Sequence, residues 1–154
     1  MSVPFSALRS NYPNQARPEL FKSLGPDWVA LIDNHNYENT CSIRLSIALI
    51  KSGYPIKKKY REALTGDGGS IVLKVETMGL LLKDYFGNPW GMSKEPGVRL
   101  TVADIPRRTG IIAYHVNWAN ASGHVDLWHG NGFVGSGSFK DIADGYDIAL
   151  WHLQ

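Results

Sequence analysis

At 154 residues and 17.1 kDa the chain has the length of one ordinary domain, expected to span residues 1–154, and can bury a real core without staples. A single cysteine excludes an intrachain disulfide, and a formal charge of +2 with an isoelectric point near 8.7 is too mild to argue for nucleic acid; the positive residues are not interleaved with stacking aromatics. The N-terminal "MSVPFSALRSNYPNQARPEL" has no charged stretch followed by an apolar core, and no apolar run approaches membrane-spanning length. The chain is therefore expected to be made in the cytoplasm without a signal peptide and not to insert into a membrane.

No repeat or linker divides the sequence, and its first half reads as helical. "PELFKSLGPDWVALIDN" predicts a short helix on each side of Gly25-Pro26, the proline suiting a helix start. In "TCSIRLSIALIKSG" the apolar positions Ile43, Leu45, Ile47, Ala48, Leu49 and Ile50 are too dense for a one-sided stripe. The spacing predicts a central, buried helix that stops at Gly53. "SIVLKVETMGLLLKDYFGNP" carries Val75, Met78, Leu81 and Leu82 at helical spacing and predicts a second core helix ending at Gly87. From Gly110 the texture changes to short β-branched and aromatic runs, "GIIAYHVNW", "GHVDLWHG" and "YDIALWHL". Helices first and strands later predict an α+β domain whose antiparallel sheet packs one face on the cysteine helix.

Cys41, the lone cysteine, is either a small buried hydrophobe or a nucleophile. It follows Asn39 and Thr40, both good caps, which places the thiol in the first turn of its helix, where unpaired backbone donors and the helix dipole favour an anionic sulfur. A base would complete the machinery. Of the five histidines, His35, His115, His124, His129 and His152, the one that opens the strand "GHVDLW" is His124. On a regular strand His124, Asp126 and Trp128 share one face while Val125, Leu127 and His129 share the other. That parity argues against a zinc site made from "HVDLWH", and no second cysteine is present; His115 from a neighbouring strand keeps a metal reading open, its alternative, shared with His152, being a satisfied sheet histidine.

Four stretches, "NTCSIRLSIALIKSGYPI", "FGNPWG", "GIIAYHVNWANASGHVDLWHG" and "ALWHLQ", together resemble the fourth family of type VI secretion amidase effectors. The family's pattern pairs an N-x-C-x-I-R-x-S helix start with a W-x-x-A-S-G-H-V-x-L-W strand, and the resemblance runs over roughly residues 39 to 154. It implies a papain-like fold related to the NlpC-type cell-wall peptidases, with no metal or cofactor. It further implies hydrolysis of the γ-D-glutamyl to meso-diaminopimelate bond in peptidoglycan stem peptides. Such effectors are injected by the type VI apparatus into the periplasm of a neighbouring bacterium and are inhibited in the producer by a dedicated immunity protein. On this sequence the resemblance puts the nucleophile on Cys41 and the general base on His124. The competing readings are an NlpC-like amidase or transpeptidase acting on another stem bond, and a peptidoglycan-binding module without turnover in which Cys41 is merely buried.

The third catalytic position departs from the family pattern. The expected Asp, eleven residues after the histidine, is Gly135 here, with Ser136 next in "GFVGSGSF". Ser136, Asp126 or a backbone carbonyl then remains to orient His124, and the alternative for Asp126 is a polar residue lining the substrate groove. Arg44, one helical turn after Cys41, is a candidate for holding thiolate or substrate carboxylate, or else makes a structural ion pair. Trp118 and Trp128 flank the proposed site as substrate-binding candidates, with core packing as the alternative. The Cys41 backbone N–H is the expected first oxyanion donor, and Tyr37 or His35 is a guess for the second. The "KKKYRE" cluster at 57 to 62 is read either as a solvated surface or, with Arg44, as charge near the cysteine helix that attracts an anionic substrate.

Overall fold

A computed structural model describes residues 4–34, 37, 39–61, 70–116, 123–139 and 145–154. The first half forms helices α1 (Phe5–Asn11), α2 (Arg17–Leu24), α3 (Pro26–Val29), α4 (Cys41–Lys51) and α5 (Val75–Phe86). The second half forms strands β1 (Trp90–Lys94), β2 (Thr109–Val116), β3 (Gly123–His129) and β4 (Tyr146–His152). These make one antiparallel sheet in the order β1-β4-β2-β3, with β3 at an edge. The α+β class expected from the sequence is the class found. Among the described residues no helix is long and apolar enough to cross a membrane.

The density of apolar residues in α4 has a direct cause: the helix is covered on two sides. Cys41, Leu45, Ala48 and Leu49 pack with α5 and the sheet residues Ile111, Val125 and Leu127, while Ile43 and Ile47 pack with Leu20, Phe21 and Trp28 of α2 and α3. The helix ends where Gly53 turns to φ 92°, so that Tyr54 N–H reaches the Leu49 carbonyl at 2.8 Å and Gly53 N–H the Ile50 carbonyl at 3.1 Å. Two elements were not expected. Helix α1 buries Phe5 and Leu8, three apart, and is tied to the chain end by Phe5 N–H to the Gln154 carbonyl at 2.7 Å. Strand β1 pairs Trp90 to Lys94 against β4, although "WGMSK" has no β-branched residue.

Both faces of β3 are covered. Val125 and Leu127 of β3 face the helices, whereas Trp128 joins Ile112, Ile148, Leu150, Leu100 and Ile105 on the opposite face. The outer edge of β3 is closed by the segment that follows it: Val134 N–H donates to the Leu127 carbonyl at 2.9 Å, and Phe133 bridges Trp128. This return segment satisfies edge groups that would otherwise be open, and it delivers residues 135–137 to the side chain of Asp126.

Candidate active site

Cys41 occupies the first helical position of α4 and is only 4% exposed. Its backbone N–H donates to Asn39 Oδ1 at 3.1 Å, and Asn39 Nδ2 donates to the Gly123 carbonyl at 3.4 Å. One amide thus ties the start of the cysteine helix to the residue before His124. The cap therefore comes from Asn39, not from Thr40, whose side chain accepts from Arg44 instead. This arrangement also alters the expected oxyanion hole, because the Cys41 N–H already has an acceptor.

His124 lies at the start of β3, beside Tyr114 with ring centroids 5.6 Å apart and Phe133 at 6.2 Å. Its Nε2 is 3.0 Å from Asp126 Oδ2, and Cys41 lies near enough to influence its protonation. With Nε2 on Asp126, Nδ1 is the nitrogen left for the sulfur. Asp126 is fully buried, and its carboxylate is held from every side: Leu127 N–H and Gly135 N–H donate to Oδ1 at 2.7 Å each, and Gly137 N–H donates to Oδ2 at 3.1 Å. A buried carboxylate needs such partners. Gly135 leaves room for it, since a Cβ there would stand 2.8 and 2.9 Å from the two Asp126 oxygens and 2.9 Å from the Tyr12 hydroxyl.

Burial pulls the His124 pKa down, but the hydrogen bonds to Asp126 and Cys41, with their charges, outweigh it and raise it to about 9. At neutral pH the ring is an imidazolium. Because this folded value lies above the ordinary 6.5, the stabilisation is complete below about pH 6.5 and is lost as pH rises through about 9. That contribution is on the order of 3 kcal/mol. The melting temperature should therefore fall between pH 6.5 and 9.5 more steeply in the native protein than in His124→Ala, and equal slopes would show that the ring is not held as described.

The other candidates separate. Ser136 is exposed and makes no hydrogen bond to His124 among the described residues. Arg44 is not in an ion pair there: its Nε donates to Thr40 Oγ1 at 2.9 Å and its Nη1 to the carbonyls of Pro13 at 3.1 Å and Gln15 at 2.8 Å. The basic cluster is not near the thiol. Lys57 and Lys59 follow the far end of α4, about 16 Å along the helix from Cys41, and bind Asp84 of α5 at 2.9 and 3.8 Å. Trp128 is likewise corrected to core packing: it is fully buried, its Nε1 donates to the Pro106 carbonyl at 3.2 Å, and its ring meets Phe133 at 5.2 Å. Trp128→Ala should cost about 3–5 kcal/mol of stability in a denaturant titration, whereas Trp128→Phe should leave KM unchanged.

Tyr37, a guess for the second oxyanion donor, packs its ring edge-on against Phe21 and Trp28 at 6.5 and 6.0 Å, among the aromatics of α2 and α3. His152 Nδ1 lies 3.0 Å from the Thr109 carbonyl, as a sheet histidine. Trp118 and His35 lie outside the described residues, and so does the side chain of His115. Among the described residues no three His, Cys, Asp or Glu side chains gather as a metal site would need. Tyr12 was not among the expected site residues: burial first, then the charges of Asp126 and Cys41, push its hydroxyl far above the ordinary phenol range, with Arg44 opposing. It lines one surface with Arg44 and Gly135.

The family model for type VI secretion system amidase effector protein 4, Tae4, matches residues 37–151. Among solved structures, the type VI effector Tae4 from Enterobacter cloacae is 26% identical with a TM-score of 0.83, the match covering 100% of this chain and 98% of that one. The Tae4–Tai4 effector-immunity complex from the same organism matches at 25% identity and a TM-score of 0.80, over 100% of both chains. Tae4 from Salmonella typhimurium, in complex with the immunity Tai4 from Enterobacter cloacae, shares the fold at a TM-score of 0.81 and 22% identity over 98% and 99% of the chains. None of the curated proteins matches this chain.

Proposed function

Because the chain belongs to the type VI secretion amidase effector family 4, we propose that it degrades peptidoglycan as a cysteine amidase, cutting the γ-D-glutamyl to meso-diaminopimelate bond of stem peptides. The observation that carries this reading is an imidazole anchored through Nε2 on a buried carboxylate at 3.0 Å, with a thiol at a helix N-terminus near enough to influence its protonation. The imidazolium supplies a proton donor on the side of the site where the thiol lies. The Cys41 sulfur attacks the γ-glutamyl carbonyl carbon, and the carbonyl oxygen becomes an oxyanion that takes the Cys41 N–H in exchange for Asn39 Oδ1. His124 gives its proton to the diaminopimelate nitrogen, the C–N bond breaks, and a thioester remains on Cys41. Neutral His124 then takes a proton from water, the hydroxide attacks the thioester, and the acid product leaves with the thiolate restored. Asp126 keeps the ring turned to the sulfur throughout.

The solved Tae4–Tai4 complex from Enterobacter cloacae supports a cognate immunity protein for this chain, whose placement over the surface between Cys41 and His124 is our own proposal, and family membership supports delivery by the type VI apparatus into the periplasm of a target cell. Mass spectrometry of a digest of disaccharide tetrapeptide tests the bond. Disaccharide L-Ala-D-Glu plus a diaminopimelate-D-Ala dipeptide are expected; an intact stem peptide released from the sugar would identify an N-acetylmuramoyl amidase instead.

A further inference from the structure

Beside the catalytic groups, and outside them, lies a groove of about 610 Å³ bounded by Arg9, Tyr12, Gln15, Thr40, Arg44 and Ser136 among others. It adjoins the site at three places: Thr40 precedes Cys41, Gly135 on its wall donates to Asp126 at 2.7 Å, and the Tyr12 hydroxyl reaches the same wall. Among the described residues no Asp or Glu lines it, while two guanidiniums do. Arg44 spends its hydrogen bonds on neutral oxygens, those of Thr40, Pro13 and Gln15, so its charge is fixed in place and not neutralised by a carboxylate among the described residues. Arg9 is exposed on the last turn of α1, and its side chain forms no hydrogen bond or ion pair among the described residues. The carboxylate behind the wall, Asp126, is already occupied by its three backbone donors and His124. Two guanidiniums without a carboxylate partner among the described residues, on one concave surface, attract an anion, and a guanidinium fork fits a planar carboxylate. By contrast, the groove between α5 and the sheet, lined by Val75, Gly79, Ala113 and Ile148, is apolar and carries Glu76 and Asp147, which repel the same ligand.

We propose that the Arg9–Arg44 groove is a carboxylate-binding subsite that selects peptides bearing a free carboxylate close to the scissile amide, with Arg9 making the selective contact and Arg44 supplying fixed charge. The inference rests on the amidase reading and adds to it the part of the substrate that is recognised. Either the α-carboxylate of the γ-linked D-Glu or a carboxylate of diaminopimelate supplies the anion.

The test uses disaccharide tetrapeptide in three forms: unmodified, amidated on the D-Glu α-carboxylate, and amidated on diaminopimelate. With native protein, amidation of the recognised carboxylate should raise KM about tenfold or more, the value of a charge-assisted hydrogen-bond pair, with kcat within about twofold. Arg9→Gln should raise KM on the unmodified substrate by a similar factor and add nothing on the form whose recognised carboxylate is amidated; Arg9→Lys, which keeps charge without the fork, should fall between. The amidated form that is insensitive to Arg9 identifies the source of the carboxylate. Equal effects of Arg9→Gln on all three substrates, or none, would overturn the subsite. Calorimetry of the same three ligands on Cys41→Ala protein measures the preference without turnover. If native protein cuts a different bond while Arg9-dependent binding persists, the bond assignment fails alone; if cleavage is as proposed and binding ignores Arg9, the subsite fails alone.

Discussion

Cys41→Ala is expected to remove muropeptide cleavage, by about a thousandfold or more in kcat, because in the proposed mechanism the Cys41 sulfur carries the acyl chain. The fold should survive. Cys41 is 4% exposed, and the substitution removes one sulfur from the margin of a core that Leu45, Ala48 and Leu49 continue to fill, so the expected stability cost is about 1 kcal/mol. His124→Ala should lose nearly as much activity, and the double variant little more than either alone, since residues acting as a unit are not additive. Product analysis together with a melting curve checks this. Turnover retained by a folded Cys41→Ala protein would remove the thiol from the mechanism.

Asp126→Asn is expected to cost about a thousandfold in kcat, the scale of loss when an orienting carboxylate becomes an amide and the imidazole is held in the wrong tautomer. It should also cost about 2–4 kcal/mol of stability, because the new amide nitrogen must face one of the N–H groups of Leu127, Gly135 or Gly137 that the carboxylate now accepts. Ser136→Ala should cost little of either. The geometry at Gly135 makes a sharper form of the same prediction. A Cβ at 135 would stand 2.8 Å from Asp126 Oδ1, so the carboxylate on the strand fills the space that a side chain on the return segment would take. In this family's pattern the acid stands at that later position. Gly135→Asp alone should therefore be inactive and destabilised, whereas Asp126→Ser combined with Gly135→Asp should recover activity about tenfold or more over Asp126→Ser alone. Kinetics of the three variants decide it. A double variant no better than Asp126→Ser would show that the two positions are not interchangeable, and a larger loss at Ser136 than at Asp126 would move the orienting role.

Much of this site was legible because it depends on local rules. Asn39 and Thr40 before an apolar run mark a helix start, and that alone places Cys41 where a nucleophile works. Strand parity puts Asp126 on the side of His124, two residues on, and the structure has the two in contact at 3.0 Å. What escaped depends on packing between distant segments. Parity could group Trp128 with His124 but not reveal that loop residues Leu100 and Ile105 cover that face and bury the indole. Closeness in sequence made the 57 to 62 cluster look adjacent to the thiol, but a helix separates its two ends by its own length. Strand β1 exists through its pairing with β4, which no propensity of Gly91, Met92 or Ser93 announces. Arg9 has no neighbour in sequence to connect it to the site; α1 brings it there by packing on α4.

The most direct measurement of whether Cys41, His124 and Asp126 form one coupled unit is the titration of the His124 ring by NMR. In the native protein it should titrate near 9, and in both Cys41→Ala and Asp126→Asn it should fall well below that, since each variant removes a hydrogen bond that raises the value and leaves the burial that lowers it. A native His124 titrating near the ordinary 6.5 and unmoved by either substitution would contradict the catalytic arrangement described here.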